Sequence, residues 1–392
     1  MTQVRKLVSM DDMSREWWDK LYSACCSLIA HPEVYVDSCR GKLLASMFYE
    51  PSTRTNFSFQ AAAQRLGAGV FGFSDPLGTS VSKGETLADT IKMTASYADA
   101  IVIRSPQEGA ATAAALYSEI PVINAGDGGH FHPTQTLTDL TTIAQYRGGV
   151  GGFRIGVCGD LKYGRTVHSL VEALSMFPGI SFCLISPGEL RMPEYDLEQM
   201  RARGQEYAES ESLVECIPEL DVLYMTRVQR ERFHDAAEYR RLKDVYILTK
   251  KMLEGAKRDM LIMHPLPRYG EIAQDVDQDP RAAYFEQARY GMFIRMALLL
   301  EFLHLPRQAP PAVVCGRPDA EGGPLKAVNE PVADENGRAD GERGQTDAVS
   351  GRSAASCGNP ACVTQAELYL PWLASKSGPD RCGYCDKKIP AY

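Results

Sequence analysis

From residue 42 to residue 304 the chain alternates short apolar runs with helix-like segments, and this alternation restricts the fold more than any other feature. Repeated apolar runs of strand length, each followed by a helical stretch, favour a parallel sheet with crossover helices. "KLLASMFY" (42–49) reads as a buried strand and "NFSFQAAAQRL" (56–66) as the helix that follows. "DAIVIRS" (99–105) and "PVINAG" (121–126) are further strands. "FRIGVCGD" (153–160) opens a second series, continued by helical "TVHSLVEALSMF" (166–177) and by the runs "SFCLIS", "LDVLYMT" and "DMLIMHP". "QARYGMFIRMALLLEFLH" (287–304) has the length and apolar face of a closing helix. The expected class is α/β: two doubly wound parallel-sheet domains joined by helices, with a boundary near 133–150.

After Leu305 the pattern stops. Residues 307–356 contain no Phe, Tyr or Trp and are rich in Gly, Pro, Ala, Asp and Glu. Such a stretch buries too little surface to offset its ordering entropy, so 306–356 reads as a flexible linker. A chain of that length reaches roughly 40 Å. Beyond it, Cys357, Cys362, Cys382 and Cys385 follow the pattern C-x4-C, nineteen residues, C-x2-C. Four thiolates in two close pairs suit the tetrahedral preference of Zn2+, so residues 357–392 read as a small structural zinc-binding β module with no open catalytic position. The other seven cysteines are scattered, and in a chain with no export signal they are expected to be reduced fillers or surface thiols.

Net charge −8 and a tail with four Lys/Arg against three Asp/Glu argue against a nucleic-acid binder. No apolar run approaches the roughly 18–20 residues that span a bilayer. A cytoplasmic, membrane-free protein is the expectation.

The first chemical motif is "YEPSTRTNFSF" (49–59), between a strand and a helix. Ser52, Thr53 and Thr55 are N-cap residue types. Free N–H groups at a helix start attract an anion, and Arg54 adds a fork for two phosphate oxygens. Taken alone, the same residues make an ordinary capped helix with a surface arginine. The motif does not stand alone. It is followed, in order, by "SVSKGETLADT" (80–90), "IVIRSP" (101–106), "HPTQTLTDL" (132–140), "DLKYGRTVHSL" (160–170), "YMTRVQRERF" (224–233) and "MHPLPR" (263–268). This ordered set covers essentially all of residues 1–305 and resembles the aspartate and ornithine carbamoyltransferases, most closely the aspartate branch.

That resemblance implies transfer of the carbamoyl group of carbamoyl phosphate to the amine of L-aspartate, an early step of pyrimidine (UMP) synthesis, with no catalytic cofactor. It implies that residues 1–133, completed by a helix at about 287–305, bind carbamoyl phosphate, and that 134–286 bind aspartate. Ser52, Thr53, Arg54, Thr55 and Arg104 would hold the phosphate. Thr55, Arg104 and His132 would face the carbamoyl oxygen. Gln135 and the turn Pro265, Leu266, Pro267 would accept from the carbamoyl NH2, because only acceptors pair with those hydrogens. Arg165, Arg227 and Gln229, with Leu266, would hold aspartate, whose two carboxylates need separated cations. Ser80 and Lys83 would enter the site of an adjacent subunit in a homotrimer with shared sites. His264 is expected to support the 265–267 turn.

"TRVQ" (226–229) suits a second carboxylate, and the acidic motif that ends in Ser-Met-Gly in ornithine enzymes is missing. Ornithine as the acceptor, or a non-catalytic scaffold role, are the alternatives. The tail "CGNPACV…CGYCDKK" resembles the zinc domain with which the regulatory chain of this family docks on catalytic trimers. The nucleotide-binding domain that precedes it in that chain has no counterpart here. The tail is therefore expected to keep docking, to hold trimers or pairs of trimers together, and to lack nucleotide sensing.

Overall fold

The computed structural model describes residues 6–228, 241, 245–305, 357–367, 370, 373–375 and 378–389. The linker 306–356 and Gln229 lie outside the described residues.

The first sheet forms from β1 (Lys6–Leu7), β2 (Leu43–Phe48), β3 (Gly69–Phe73), β4 (Ala100–Ser105) and β5 (Val122–Asp127). Its strands are all parallel, in the order β1-β5-β4-β2-β3. The central strands β4 and β5 are buried along almost their whole length, which is why they read as continuous apolar runs. Between the strands lie α1 (Arg15–Ala30), α2 (Thr53–Arg65), α3 (Leu87–Tyr97) and α4 (Ala110–Tyr117). Next comes α5 (Pro133–Arg147), which starts on a proline, where the missing N–H costs nothing. It ends at Gly148, whose φ of 74° is open to glycine at little cost.

The second sheet contains β6 (Arg154–Cys158), β7 (Ser181–Ile185), β8 (Glu206–Ser210), β9 (Val222–Met225) and β10 (Leu261–Met263). It is parallel throughout, in the order β10-β9-β6-β7-β8. Helices α6 (Arg165–Leu174), α7 (Glu194–Ala202) and α8 (Leu213–Cys216) belong to it. The closing helix α9 (Tyr284–Phe302) packs on α1, α2 and α5. One apolar cluster runs from Trp18 and Phe59 through Leu140 to Val157 and Leu299, so the core is continuous across both sheets.

Each sheet has one place where the strand order reverses direction. In the first it falls between β2 and β4, in the second between β6 and β9. Ligand crevices form beyond the carboxyl ends of strands at such points.

The C-terminal module has one short hairpin, β11 (Ala374–Ser375) with β12 (Gly378–Cys382). It sits on the first-sheet domain of its own chain. Glu108 N–H donates to Ala361 O (2.8 Å) and Val363 N–H to Glu108 O (2.8 Å). The Glu108 carboxylate, nearly fully buried, accepts from Asn359 Nδ2 (2.7 Å) and pairs with Lys387 Nζ (2.8 Å). Leu87 N–H donates to Glu367 (2.7 Å). Val363, Leu370 and Tyr384 join Leu87, Ala111 and Tyr117 in one apolar cluster. A Cβ on Gly109 would lie 2.6 Å from Tyr384, so only glycine admits this approach. The Arg381 guanidinium also lies 5.5 Å over the Tyr195 ring of α7.

Candidate functional site

The two reversal points bring arginines together. Arg54 stands in the first turn of α2, after β2, and Arg104 lies near the end of β4. Arg165 opens α6 after β6, and Arg227 follows β9. Glu50, between β2 and α2, organises them. Its carboxylate pairs with Arg104 Nη2 (2.7 Å) and lies 3.7 Å from Arg165 Nη2. Arg165 also donates to Gly128 O. A Cβ on Gly126, whose φ is 119°, would come within 2.7 Å of Arg104 and 3.3 Å of Arg165. A side chain there would fill the space between the two cations.

Arg104 also donates to Ala125 O (3.0 Å), and its Nη1 lies 3.3 Å from His132 Nε2. A guanidinium only donates, so His132 Nε2 accepts and the ring proton belongs on Nδ1. His132 Nδ1 and Arg104 Nε are buried with no hydrogen-bond partner among the described residues. Burial, then Arg104, Arg165 and Arg295, hold the His132 pKa well below the usual histidine range, so the imidazole is neutral at pH 7. Burial and then Arg227 depress the half-exposed Arg54, which places those two cations in each other's field.

Ser52 is the N-cap of α2, but its hydroxyl makes no cap bond. Thr53, Arg54 and Thr55 form the first turn, so the anion-attracting end of α2 is not closed by its own cap.

The 264–268 turn follows β10. Leu266 N–H donates to His264 Nδ1 (2.8 Å), which leaves Nε2–H to donate to Glu271 (2.8 Å). His264 therefore braces the turn with a defined tautomer, as expected. Glu271 also accepts from Tyr269 N–H (2.9 Å) and Gly270 N–H (3.0 Å). Burial alone would raise its pKa, but the His264 bond and the Tyr269 N–H pull it below the usual carboxylate range. Leu266 adopts a φ of 52°, an uncommon conformation for a non-glycine residue, between Pro265 and Pro267. On α5, Gln135 Nε2 donates to the buried Asp139 (2.8 Å). Burial pushes the Asp139 carboxyl up to about 7, and hydrogen bonds from Tyr224, Gln135 and Gln287 oppose the rise.

Ser80 and Lys83 behave differently. They lie on a short exposed 3-10 turn that Gly84 ends at a φ of 91°, and Lys83 makes no side-chain hydrogen bond or ion pair to a described residue. Sequence reasoning overlooked Glu50, although it directly precedes "PSTRT"; an acid beside a phosphate motif does not suggest itself. Asp139 and Glu108 were overlooked too, and only "TQTLTDL" contained a signal, the carboxylate one turn beyond Gln135.

The four tail cysteines converge. Cys357 and Cys385 Sγ are 3.6 Å apart and Cys362 and Cys382 Sγ 3.9 Å, with all four sulfurs within 4.8 Å of one another. Tetrahedral Zn–S bonds imply sulfur separations of about 3.8 Å, so the donor set fits such an ion. All four are buried, and Thr364 Oγ1 donates to Cys362 Sγ (3.3 Å). Gly383 passes so close to Leu373 that a Cβ would lie 2.3 Å from its carbonyl oxygen.

Residues 5–145 match the carbamoyl-P binding domain of the aspartate/ornithine carbamoyltransferases, and residues 151–302 match their Asp/Orn binding domain. The aspartate carbamoyltransferase catalytic subunit of Clostridium perfringens is 55% identical over 304 residues, 77% of this chain and 99% of the relative. The catalytic subunit of M. jannaschii aspartate transcarbamoylase superposes with a TM-score of 0.71 at 45% identity, over 76% of this chain and 98% of that one. Aspartate transcarbamoylase from Trypanosoma cruzi, solved with carbamoyl phosphate and aspartate, gives 0.72 at 38% identity, over 76% and 97%.

Proposed function

This chain belongs to the aspartate/ornithine carbamoyltransferase family, and we infer from that premise how its residues divide the work of an aspartate carbamoyltransferase. The reaction forms a C–N bond between the aspartate amine and the carbamoyl carbon and breaks the C–O bond to phosphate. The amine loses a proton and phosphate leaves. No covalent intermediate with the protein is required, so the protein's part is to hold two anions together and to stabilise developing negative charge.

The observation that carries this division is the cluster of Arg104, Arg165, Glu50 and His132 where the two reversal points meet. Ser52, Thr53, Arg54, Thr55 and Arg104 hold the phosphate. Thr55, Arg104 and neutral His132 donate toward the carbamoyl oxygen. Gln135 and the carbonyls of Pro265, Leu266 and Pro267 accept from the NH2 group. Arg165 and Arg227 take the carboxylates of aspartate, and Gln229 is assigned there by motif alone. Packing of α9 on α1 and α2, both within residues 1–133, supports counting residues 287–305 with the carbamoyl-phosphate domain, leaving 134–286 to aspartate.

Lys83 and Ser80 serve a neighbouring subunit, which makes the working unit a trimer. Lys83, exposed and without a side-chain partner among the described residues, supports this. Mixing inactive Lys83→Ala and His132→Ala proteins after mild dissociation should restore activity, because some sites then inherit neither change. Mixtures that stay inactive would contradict sharing. The tail holds Zn2+ through Cys357, Cys362, Cys382 and Cys385, and the ion's part there is structural. Metal analysis of the intact protein should return about one zinc per chain. No helix among the described residues is long and apolar enough to cross a membrane.

A further inference from the structure

Asp139, to which none of the assignments above gives a role, is the centre of a buried cluster. It is fully buried on α5. Its Oδ1 accepts from Gln135 Nε2 (2.8 Å) and Gln287 Nε2 (2.6 Å), and its Oδ2 accepts from Tyr224 OH (2.9 Å). The orientation of Gln287 is determined by chemistry. Its Oε1 accepts from the backbone N–H of His264 (3.0 Å), which can only donate, so its amide nitrogen must face Asp139. Oδ1 already accepts from Gln287 and so acts as an acceptor, and Gln135 likewise turns its NH2 to it. Its Oε1 takes no bond among the described residues, and the side chain is half-buried. One carboxylate therefore fixes the amide of Gln135 and, through Gln287, the backbone from which the 264–268 turn departs.

We propose that Asp139 is a positioning residue for donor selection. By holding the amide nitrogens of Gln135 and Gln287 it leaves only acceptors facing the carbamoyl NH2. The site thereby favours carbamoyl phosphate over acyl phosphates with a methyl group at that position. This rests on the assignment of Gln135 and the 265–267 carbonyls to the NH2 group. With asparagine at 139 the oxygen would still accept from Gln135 and Gln287 while the new NH2 donated to Tyr224 OH, but with leucine no acceptor would remain. Gln135 would then turn and present its own NH2 to the substrate's NH2, and two donors cannot pair. A site built to bond an NH2 loses discrimination when its acceptor is misdirected, whereas a donor lacking the NH2 is little affected.

The test compares carbamoyl phosphate with acetyl phosphate as donors to aspartate. In both reactions a C–N bond forms, the C–O bond to phosphate breaks and the amine proton is released. Asp139→Asn, which keeps the acceptor, should leave the donor ratio near that of the wild type, whereas Asp139→Leu should lower kcat/KM for carbamoyl phosphate at least about tenfold and for acetyl phosphate less than about threefold. On a Gln135→Leu background Asp139→Leu should alter the ratio no further, because both act through one amide. Asp139→Ala, smaller and without an acceptor, should show the same collapse of the ratio if the leucine variant does not fold. Equal losses with both donors would mean that Asp139 only stabilises the fold, and would overturn the proposal. A ratio unchanged by Gln135→Leu in an otherwise active enzyme would overturn the Gln135 assignment and this proposal with it. A wild-type protein unable to use carbamoyl phosphate would overturn the reaction itself, a result distinct from both.

Discussion

The two sheets share a topology and present different chemistry at the same point. Each is a five-stranded parallel sheet whose strand order reverses once, and each places arginines at or just beyond its carboxyl edge at that reversal. The first has Arg104 near the end of β4 and, on the neighbouring connection, the uncapped start of α2, the two groups assigned above to the phosphate. The second offers Arg165 and Arg227 on separate connections, after β6 and β9. A phosphate concentrates its charge and suits the first arrangement; a dicarboxylic amino acid divides its charge and suits the second. Parallel-sheet topology supplies the crevice, and the residues at the reversal select the anion.

Breaking the first half should have the largest effect. Arg104→Ala removes the cation shared by Glu50, His132 and Ala125 O, and should lower kcat by about 10²–10³-fold. Breaking the second half should separate binding from chemistry. Arg227→Ala should raise KM for aspartate about 10–100-fold with little change in KM for carbamoyl phosphate, since a charge-assisted pair is worth about 1.5–3 kcal/mol. Steady-state kinetics with each substrate varied in turn checks both. If Arg227→Ala impaired both substrates equally, the two sheets would not divide the anions.

The tail should matter less to turnover. Cys362→Ser removes one of four sulfurs and should abolish metal retention. The tail should then become open to limited proteolysis while kcat stays within about threefold, since none of the assigned catalytic groups lies beyond residue 305.

The smallest effect concerns pH. Asp139, raised to about 7 by burial, binds its proton more tightly in the folded state. Its contribution therefore favours the folded form increasingly as pH falls from about 7 toward the unfolded value near 4. Glu271 works in the opposite sense. Its depressed pKa stabilises the fold above its unfolded value, and that stability is lost as pH falls through the folded value. Thermal melts of Asp139→Asn should lose the gain between pH 7 and 4 and keep the decline at lower pH.

Much of this was legible in the sequence. The strands that were read correctly, β2, β4 to β7, β9 and β10, are buried apolar runs whose composition announces them. Those not read are β1, only two residues long, and the edge strands β3 and β8. Both edge strands alternate exposed with half-buried residues, and "EYAES" contains no apolar run. The arginines were legible because each follows such a run within a recognisable motif. Glu50 was not, because its value appears only when Arg104 and Arg165 meet across two sheets. The seat of the tail was not legible either. Glu108 and Asn359 are 251 residues apart, and neither sequence context marks the other as its partner.

The central claim is that the second half of the crevice is built for two carboxylates. It is tested most directly by measuring carbamoyl transfer from carbamoyl phosphate to L-aspartate and to L-ornithine under identical conditions. The account predicts ready formation of N-carbamoyl-L-aspartate and phosphate, with little or no product from ornithine. Comparable turnover with ornithine, or none with aspartate, would contradict it.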